Sequence, residues 1–431
     1  MCYAIPALVE NIRDKTATIS YFGERKEALC ELTNITCGDY VYAQGGYIIQ
    51  RLPPEEAKQI LLTWKELFFQ LQELDASKAV LNDADITSDD TLRAILERAR
   101  KGIAPSKEEA VVLLNLKDTD SRILVRRTAN YLRQRYHKNS CCVHGILEIS
   151  NYCARNCAYC GISALSKVPR YRMNPDEIMK VAEEAVNNFG FKSLVLQSGE
   201  ECGYSLEELT NIVARIKEQL PVLIFVSFGE VGLKGLRKLY DAGARGLLLR
   251  FETSNPALYE KLHPGYNLNS RLEHLKAAYK MGYLVVTGGL IGLPGQTKED
   301  LVNDILLTSS LHADMFSFGP FLPHPSTSLA DFLPPSEQDV LGVLGLIRLI
   351  CAQNAKILIT TAYETLSSCA LQNGLMSGGN SVMINVTPLK YRSLYNIYPH
   401  RAHEHETVAQ QIRQVLAMLK SLGRGPTDLG S

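Results

Sequence analysis

The sequence lacks several features that would assign it to common classes of protein. Its 46 basic residues are balanced by 46 acidic ones, so no charge excess predicts binding to nucleic acid or to an anionic membrane. No run of about 18 apolar residues predicts a transmembrane helix, and the N-terminus lacks the basic and apolar regions of a secretory signal. Internal repeats and low-complexity segments are also missing. We therefore expect a globular, cytoplasmic protein without a nucleic-acid partner or membrane contact.

Cysteine, by contrast, is plentiful, with 11 in 431 residues. In a chain that carries no secretory signal, this number favours metal or redox chemistry over a disulfide framework. The length exceeds that of one ordinary domain and suits a large barrel with an additional module.

From about residue 145 onward, short apolar runs alternate with amphipathic segments. The predicted strands are 146–149, 193–197, 223–228, 247–250, 284–287, 315–318, 357–361 and 382–386. The clearest predicted helices are 174–188, 205–218, 270–281, 298–311 and 336–354. Eight alternations predict an α/β fold, a (βα)8 barrel of the TIM type, with its active site at the C-terminal ends of the strands.

Three cysteines, Cys153, Cys157 and Cys160, follow the first predicted barrel strand. Three thiolates on a four-iron cluster leave one iron open to a ligand, as a reactive metal site requires. The alternative is a structural zinc site that would add Cys141, Cys142 or His144. The C-x3-C-x2-C spacing, with an aromatic residue before the last cysteine, resembles the signature of radical S-adenosylmethionine (SAM) enzymes.

This resemblance implies a [4Fe-4S] cluster on catalytic Cys153, Cys157 and Cys160, whose open iron binds SAM. One electron then cleaves SAM and gives a 5′-deoxyadenosyl radical. The residues that the resemblance assigns to SAM binding are Tyr159, Ser198, Gly199, Glu200, Glu230, Arg250 and Glu252. A guanidinium such as that of Arg250 matches a carboxylate in a bidentate manner, and Glu230 would suit a ribose hydroxyl or the amino group. Because Glu200, Glu230 and Arg250 end consecutive predicted strands, we expect them at one mouth of the barrel.

Residues from about 104 to the end resemble HydE, the family of radical SAM maturases of FeFe-hydrogenase. The matching stretches are 157–161, 171–173, 196–200, 249–256, 292–297, 319–325, 360–362, 379–380 with 383, 387–388, 391–398 and 423–430. The resemblance implies an iron–cysteine substrate carrying CO and cyanide, in a pocket formed by Thr360, Thr361, Met383, Tyr395 and Tyr398. The chain departs from the family at Leu290, where a methionine is usual, which puts the exact ligand of the pocket in doubt.

Some members of this family carry a second cluster on additional C-terminal cysteines. Only Cys351 and Cys369 occur in that region, so we predict a single cluster. The resemblance further implies hydrogenase maturation proteins as partners and an electron donor of the ferredoxin or flavodoxin type.

Residues 1–75 predict a separate small β module. Segments 17–22 and 40–49 are rich in β-forming residues, and Pro54 with the acids behind it begins a helix that we expect to end near residue 74. Residues 76–103 are predicted to form a linker followed by a helix, and the polar linker runs from 76 to 90. The stretches 1–6, 38–41, 46–47 and 52–57 resemble HypC, a family of small OB-like chaperones of NiFe-hydrogenase maturation.

The HypC resemblance implies that Cys2 helps to hold an iron bearing CO and cyanide, for which a thiolate is a suitable soft ligand. Gln44 stands where HypC proteins usually have histidine, which puts this role in doubt. The fusion suggests that Cys2 carries an iron complex that the barrel, residues 104–431, modifies, and that the link raises the effective concentration of one module for the other.

Two other functions remain open on the sequence alone. One is a radical SAM enzyme that resembles biotin synthase or methylornithine synthase and acts on a small organic substrate. The other is a scaffold without catalysis that only carries iron between maturases.

Overall fold

The N-terminal part of the chain forms a small closed barrel. In the computed structural model, which describes residues 5–81, 87–200 and 203–427, five strands close this barrel. In chain order they are β1 (Ala7–Arg13), β2 (Thr16–Tyr21), β3 (Glu24–Leu29), β4 (Tyr40–Gln44) and β5 (Tyr47–Leu52). Their spatial order is β1-β2-β3-β5-β4, in which β3 and β5 run parallel and the other neighbours run antiparallel. The predicted β module is therefore confirmed, with segment 40–49 folded as a hairpin around Gly45 and Gly46, whose φ values are 57° and 76°.

A long helix, α1 (Pro54–Lys78), follows the small barrel, with proline and two glutamates in its first turn as predicted. It extends past residue 74 because Asp75 is buried and forms ion pairs with Arg133 at 2.7 Å and Arg424 at 2.8 Å. The first residues of the predicted linker are therefore helical, and residues 82–86 of that linker lie outside the described residues.

Three more helices lead to the large barrel. They are α2 (Asp90–Arg100), α3 (Lys107–Asn115) and α4 (Thr119–His137). The start of α3 is fixed by a capping box, in which Ser106 and Glu109 satisfy each other's backbone N–H groups.

Eight parallel strands close the large barrel in the order β10-β12-β14-β15-β6-β7-β8-β9. Their bounds are β6 (Cys142–Ser150), β7 (Ser193–Ser198), β8 (Leu223–Ser227), β9 (Ala244–Leu248), β10 (Leu284–Thr287), β12 (Met315–Phe316), β14 (Lys356–Ile359) and β15 (Ser381–Asn385). The short strands β11 (Leu290–Ile291) and β13 (Gly319–Pro320) pair with each other outside the barrel. Each predicted strand overlaps one strand of this barrel, which confirms the (βα)8 prediction.

The helices surround this barrel. They are α5 (Pro175–Glu183), α6 (Leu206–Gln219), α7 (Gly232–Asp241), α8 (Pro256–Leu262), α9 (Leu268–Met281), α10 (Lys298–Ser310), α11 (Glu337–Ile350), α12 (Thr361–Leu366), α13 (Ala370–Leu375), α14 (Leu389–Arg392) and α15 (Val408–Ser421). A π-helical turn, Glu184–Asn188, continues α5. Among the described residues, none of the helices combines the length and the apolar composition that crossing a membrane requires.

The small barrel packs against the N-terminal ends of the large barrel's strands. The β4–β5 turn sits so close that a Cβ added at Gly45 would lie 2.7 Å from Leu223, the first residue of β8. The Tyr47 hydroxyl donates a hydrogen bond to the Gly282 carbonyl at 3.2 Å, and Arg245 of β9 forms an ion pair with Glu31 at 2.8 Å. The predicted active-site end of the large barrel is therefore the end that faces away from the small barrel.

Candidate functional site

A cavity of about 290 Å³ lies at the C-terminal ends of the barrel strands, and we call it the C-terminal cavity. It brings together almost all of the predicted site residues. Those in its wall are Cys153, Cys157, Tyr159, Cys160, Ser198, Gly199, Glu200, Arg250, Glu252, Thr360, Thr361, Met383, Tyr395 and Tyr398. Glu230 is not part of this wall, and Cys2 lies outside the described residues.

The loop that carries the three cysteines follows β6 and is held by main-chain hydrogen bonds. The Ala154 N–H donates to the Glu200 carbonyl at 2.9 Å. The guanidinium of Arg170 donates to the carbonyls of Asn151, Ile162 and Ser163 at 2.6–2.7 Å. Arg170 thus joins both ends of the loop, so that the loop is shaped by the protein itself.

The three thiols share the cavity wall without converging on one point. Among the described residues, no three His, Cys, Asp or Glu side chains could hold a single metal ion. Cys142 and His144 lie at the opposite end of β6 from the cysteine loop, so the zinc alternative finds no support.

The thiols are in surroundings that favour a bound cation. Burial raises the pKa of Cys157 well above its ordinary value, and repulsion from Cys160 and Cys153 raises it further. Burial likewise raises the pKa of Cys160, to about 12. Three neighbouring thiolates are stable only with positive charge between them, and the donor set therefore fits an iron–sulfur cluster.

Glu200 is fixed at the edge of the cavity by two arginines. Its carboxylate forms an ion pair with Arg155 and another with Arg271 at 3.1 Å, and it accepts a hydrogen bond from the Glu230 N–H at 2.9 Å. Burial acts to raise the pKa of Glu200, but Arg271 and Arg155 outweigh it and hold the pKa below its ordinary value. The group is therefore an anion within the wall.

Two glycines make this arrangement possible. A Cβ at Gly199 would lie 2.2 Å from the Tyr152 carbonyl oxygen, and one at Gly229, where φ is +75°, would lie 2.0 Å from Glu200. Any side chain at either position would displace the cysteine loop or the carboxylate.

The carboxylate of Glu230 lies behind the wall, in contact with Arg271 at 3.1 Å and Arg155 at 3.4 Å. Its predicted contact with SAM stays a prediction. In this structure its carboxylate instead holds the two arginines that in turn hold Glu200.

Several buried polar atoms beside the cavity have no hydrogen-bond partner among the residues that the structure describes. These atoms are Nε and Nη1 of Arg155 and Oε2 of Glu252. Arg250 forms an ion pair with the other oxygen of Glu252 at 3.2 Å. Positively charged hydrogen-bond donors and negatively charged acceptors thus lie beside one cavity. This arrangement fits the carboxylate and amino groups of a ligand such as SAM.

The far side of the cavity is rich in hydroxyl groups. The Tyr395 oxygen accepts a hydrogen bond from the Gln197 amide at 3.1 Å, so its own hydrogen is available for an acceptor in the cavity. Burial raises the pKa of Tyr395 and of Tyr398 above the ordinary value, which keeps both as neutral donors. Arg401, paired with buried Glu148, adds a guanidinium to this side.

The residues of the site that were not predicted from the sequence include Arg155, Arg271, Gln197 and Arg401. Arg155 lies between two of the cysteines, where its position could have suggested a role. Arg271 and Arg401 give no comparable signal, since a single arginine in a helix or loop is most often a surface charge.

Two known families match separate parts of the chain. Residues 147–307 match the Radical SAM superfamily. Residues 1–64 match the HupF/HypC family. Each match falls on one of the two barrels.

Among curated proteins, the chain is similar to the "[FeFe] hydrogenase maturase subunit HydE" of Thermotoga maritima. The two are 36% identical over 337 residues, which cover 78% of this chain and 96% of that protein. It is also 26% identical to a 3-methylornithine synthase of Methanosarcina acetivorans, over 77% of this chain and 93% of that one.

Solved structures share the fold at low sequence identity. Methylornithine synthase (PylB) superposes with a TM-score of 0.68 at 24% identity, over 77% of this chain and 97% of that chain. HydG, a maturase of the [FeFe]-hydrogenase, gives a TM-score of 0.62 at 22% identity, over 74% and 71% of the two chains.

Proposed function

The chain belongs to the HydE family of radical SAM enzymes, and from this premise we propose that it helps to assemble an iron cofactor carrying CO and cyanide. The observation that carries the proposal is the C-terminal cavity, whose wall contains three thiols, charged groups of both signs and a hydroxyl-rich side. The proposed setting is the cytoplasm, with hydrogenase maturation proteins and a ferredoxin- or flavodoxin-type electron donor as partners.

In this proposal Cys153, Cys157 and Cys160 hold one [4Fe-4S] cluster, and SAM binds beside it. When bound, these two groups supply a one-electron reductive cleavage that gives a 5′-deoxyadenosyl radical. The protein would hold the ligand in place: Arg155 and Arg250 would bind its carboxylate, while Glu200 and the adjacent Ser198–Gly199 backbone would bind its amino group. Tyr159 packs with Leu290 and Phe321 in an apolar cluster that excludes water from one side of the site.

The substrate is proposed to lie against the hydroxyl-rich wall. Tyr395, Tyr398, Thr360 and Thr361 supply hydrogen-bond donors for cyanide nitrogens or carboxylate oxygens. Met383 supplies an apolar surface for CO. Enclosure in the barrel protects a radical from water and other reactants.

Cys2 is proposed to carry the iron complex. Cys2 lies outside the described residues, and the match of residues 1–64 to the HupF/HypC family supports this part of the proposal. Ile5 is fully buried in the small barrel, and the pairing of Ala7 with Val41 brings the start of β1 towards the end of β4. That end carries Gln44, which is 2% exposed.

The test of catalysis is the release of 5′-deoxyadenosine from SAM by anaerobically reconstituted protein under a chemical reductant. We expect release by the wild type and loss of at least 100-fold in Cys157→Ala. The matched control is Cys369→Ala, which removes an exposed thiol and should behave as the wild type. No release from wild type with a full cluster would exclude the proposal and favour the scaffold function. Equal release from Cys157→Ala would show that the cleavage does not depend on the proposed cluster and would likewise exclude the proposal.

A second candidate is radical chemistry on a small organic molecule. It is favoured by the 26% identity to 3-methylornithine synthase over most of both chains. Turnover of an amino acid or thiazolidine without iron, with one deoxyadenosine formed per product, would select this candidate.

A further inference from the structure

A second cavity lies at the other end of the large barrel, and we call it the N-terminal cavity. Its volume is about 920 Å³, against about 290 Å³ for the C-terminal cavity. The small barrel forms part of its wall through Glu27, Leu29, Gly45, Gly46 and Tyr47. The remainder comes mainly from residues at and near the starts of β10, β12 and β14 and from the end of α11. Both domains of the chain therefore build this cavity.

The two cavities are stacked along the barrel axis. Four of the barrel strands contribute to both cavities, each through two residues that are two positions apart in the sequence. These pairs are His144 and Ile146, Phe225 and Ser227, Met315 and Ser317, and Lys356 and Leu358, the first of each in the N-terminal cavity. Residues two apart along a strand point the same way and lie about 7 Å from each other. About one layer of side chains therefore separates the cavities.

That layer is apolar. Leu248, Leu358 and Met383, which line the C-terminal cavity, belong to the same apolar cluster as Phe225 and Met315, which line the N-terminal one. Methionine is unbranched and adapts its shape to its neighbours more readily than other core residues. Met315 and Met383 are therefore the residues of this layer best suited to change shape when a molecule passes.

The end of the C-terminal cavity that faces away from the N-terminal cavity is held by hydrogen bonds to backbone carbonyls. The Gly161 N–H donates to the Ile397 carbonyl at 3.0 Å, and the Asn151 amide donates to the Leu394 carbonyl at 2.7 Å. These bonds join the cysteine loop to segment 394–397. Widening that end would therefore disturb the loop on which the cluster depends, and SAM would occupy space at the same end.

We propose that the N-terminal cavity is the inlet through which the iron–CO–cyanide substrate reaches the site, an inference that rests on the proposed function. The substrate would pass from the rim formed with the HypC-like domain, through the apolar layer, to the face of the cavity opposite the cluster. SAM and the cysteine loop keep their places throughout. This position also gives the fused HypC-like domain a function, because that domain forms part of the rim.

The lining of the inlet matches the chemistry of such a complex. Its rim carries His312, Asp314 and Lys356, which suit the amino and carboxylate groups of cysteine and the nitrogen of cyanide. The layer beneath offers apolar contacts, which suit CO.

The experiment narrows the inlet from its outer side. Ser309, at the end of α10, and Gln353, between α11 and β14, are exposed and line the N-terminal cavity. Tryptophan at both positions, in the double variant S309W/Q353W, fills part of the inlet without replacing a buried residue. The matched control is Ser310→Trp, since Ser310 is also exposed but is not in the cavity wall.

The probe is an iron(II)–cysteine complex carrying CO and cyanide, followed by infrared spectroscopy in the CO and cyanide stretching region. We expect S309W/Q353W to convert the complex at least 10-fold more slowly than wild type. Its iron content and its deoxyadenosine release without the complex should stay unchanged, and Ser310→Trp should match wild type in all three measurements.

Equal conversion by S309W/Q353W and wild type would overturn the inlet and leave the proposed function standing. A wild type that cleaves SAM but leaves the infrared bands unchanged would overturn the proposed function, and the inlet with it. If the double variant loses iron, the single variants S309W and Q353W replace it, with the same expected direction.

Discussion

At the scale of single residues, the site depends on four buried charges that balance. Glu200 and Glu230 each contact both Arg155 and Arg271, and all four side chains are between 6% and 10% exposed. Burying charge is unfavourable unless each group keeps opposite charge and hydrogen bonds around it. Removal of one arginine would therefore leave two buried carboxylates to share a single guanidinium, close to the proposed SAM position.

We expect Arg271→Gln to lower the free energy of unfolding by about 3 kcal/mol and to weaken SAM binding at least 10-fold. Urea denaturation and equilibrium dialysis with SAM measure the two effects. The control is Arg237→Gln, on α7, whose side chain is 52% exposed. An Arg271 variant with unchanged affinity for SAM would show that the arginine pair does not shape the binding site.

A second prediction concerns pH. The hydrogen bond to Glu364 raises the pKa of His403 from 6.5 to about 9, opposed in part by burial and assisted by Glu406. Because the pKa is higher in the folded state, the stabilisation is complete below pH 6.5 and is lost as the pH rises through 9.

His403→Gln should therefore be less stable than wild type at pH 6, by at most about 3 kcal/mol, and nearly equal to it at pH 10. The measurement is urea denaturation at both values, with exposed His405→Gln as the control. A difference between wild type and His403→Gln that does not change with pH would contradict the assignment.

Residues of the site were predictable only where the sequence carried a pattern. The cysteine spacing and the charged residues after consecutive strands were sufficient to predict Glu200 and Arg250 at the mouth of the barrel. The partners of Glu200 come from the cysteine loop and from α9, and no local pattern connects these segments. Their proximity is a product of tertiary packing.

At the scale of elements, the barrel strands were predictable because strands of a parallel sheet buried on both faces are continuous apolar runs. β3 was missed because its sequence, ERKEAL, is mostly charged and half exposed. β11 and β13 were missed because they are two residues long. The third barrel strand was predicted over 223–228, with Glu230 expected at its end. It ends at Ser227, since Gly229 turns the chain at a φ of 75°.

The most informative single element is α1, which the sequence suggested would end before a linker. Asp75, near its end, is 1% exposed and pairs with two arginines that are fully buried. This charge pairing joins the HypC-like domain to α4 and to the C-terminal segment of the chain.

Asp75→Asn should lower the free energy of unfolding by about 3–5 kcal/mol, because two buried guanidinium groups lose their anion. Denaturation followed by circular dichroism measures this, and Glu73→Gln, exposed on the same helix, is the control. If both variants unfolded at the wild-type denaturant concentration, the buried pairs would not be what holds α1 in place.

At the scale of the whole molecule, the two domains are packed together, whereas the sequence suggested two modules joined by a linker. The HypC-like domain covers part of the N-terminal end of the barrel, and Tyr42, Tyr47 and Leu52 pack in one cluster with Phe225 and Val286 of the barrel. Sequence patterns predicted each domain but could not predict this contact, because the apolar residues involved are equally typical of each domain's own core. This packing places the HypC-like domain at the end of the large barrel opposite the cysteine loop.

The central claim is that this protein uses radical SAM chemistry on an iron complex carrying CO and cyanide. Its most direct test is one anaerobic reaction of wild-type protein, SAM, reductant and the iron(II)–cysteine complex, with deoxyadenosine and infrared spectra recorded together. We predict that the CO and cyanide bands of the complex shift in step with deoxyadenosine formation, and that both changes are absent in Cys157→Ala. Deoxyadenosine formation with unchanged bands would contradict the claim.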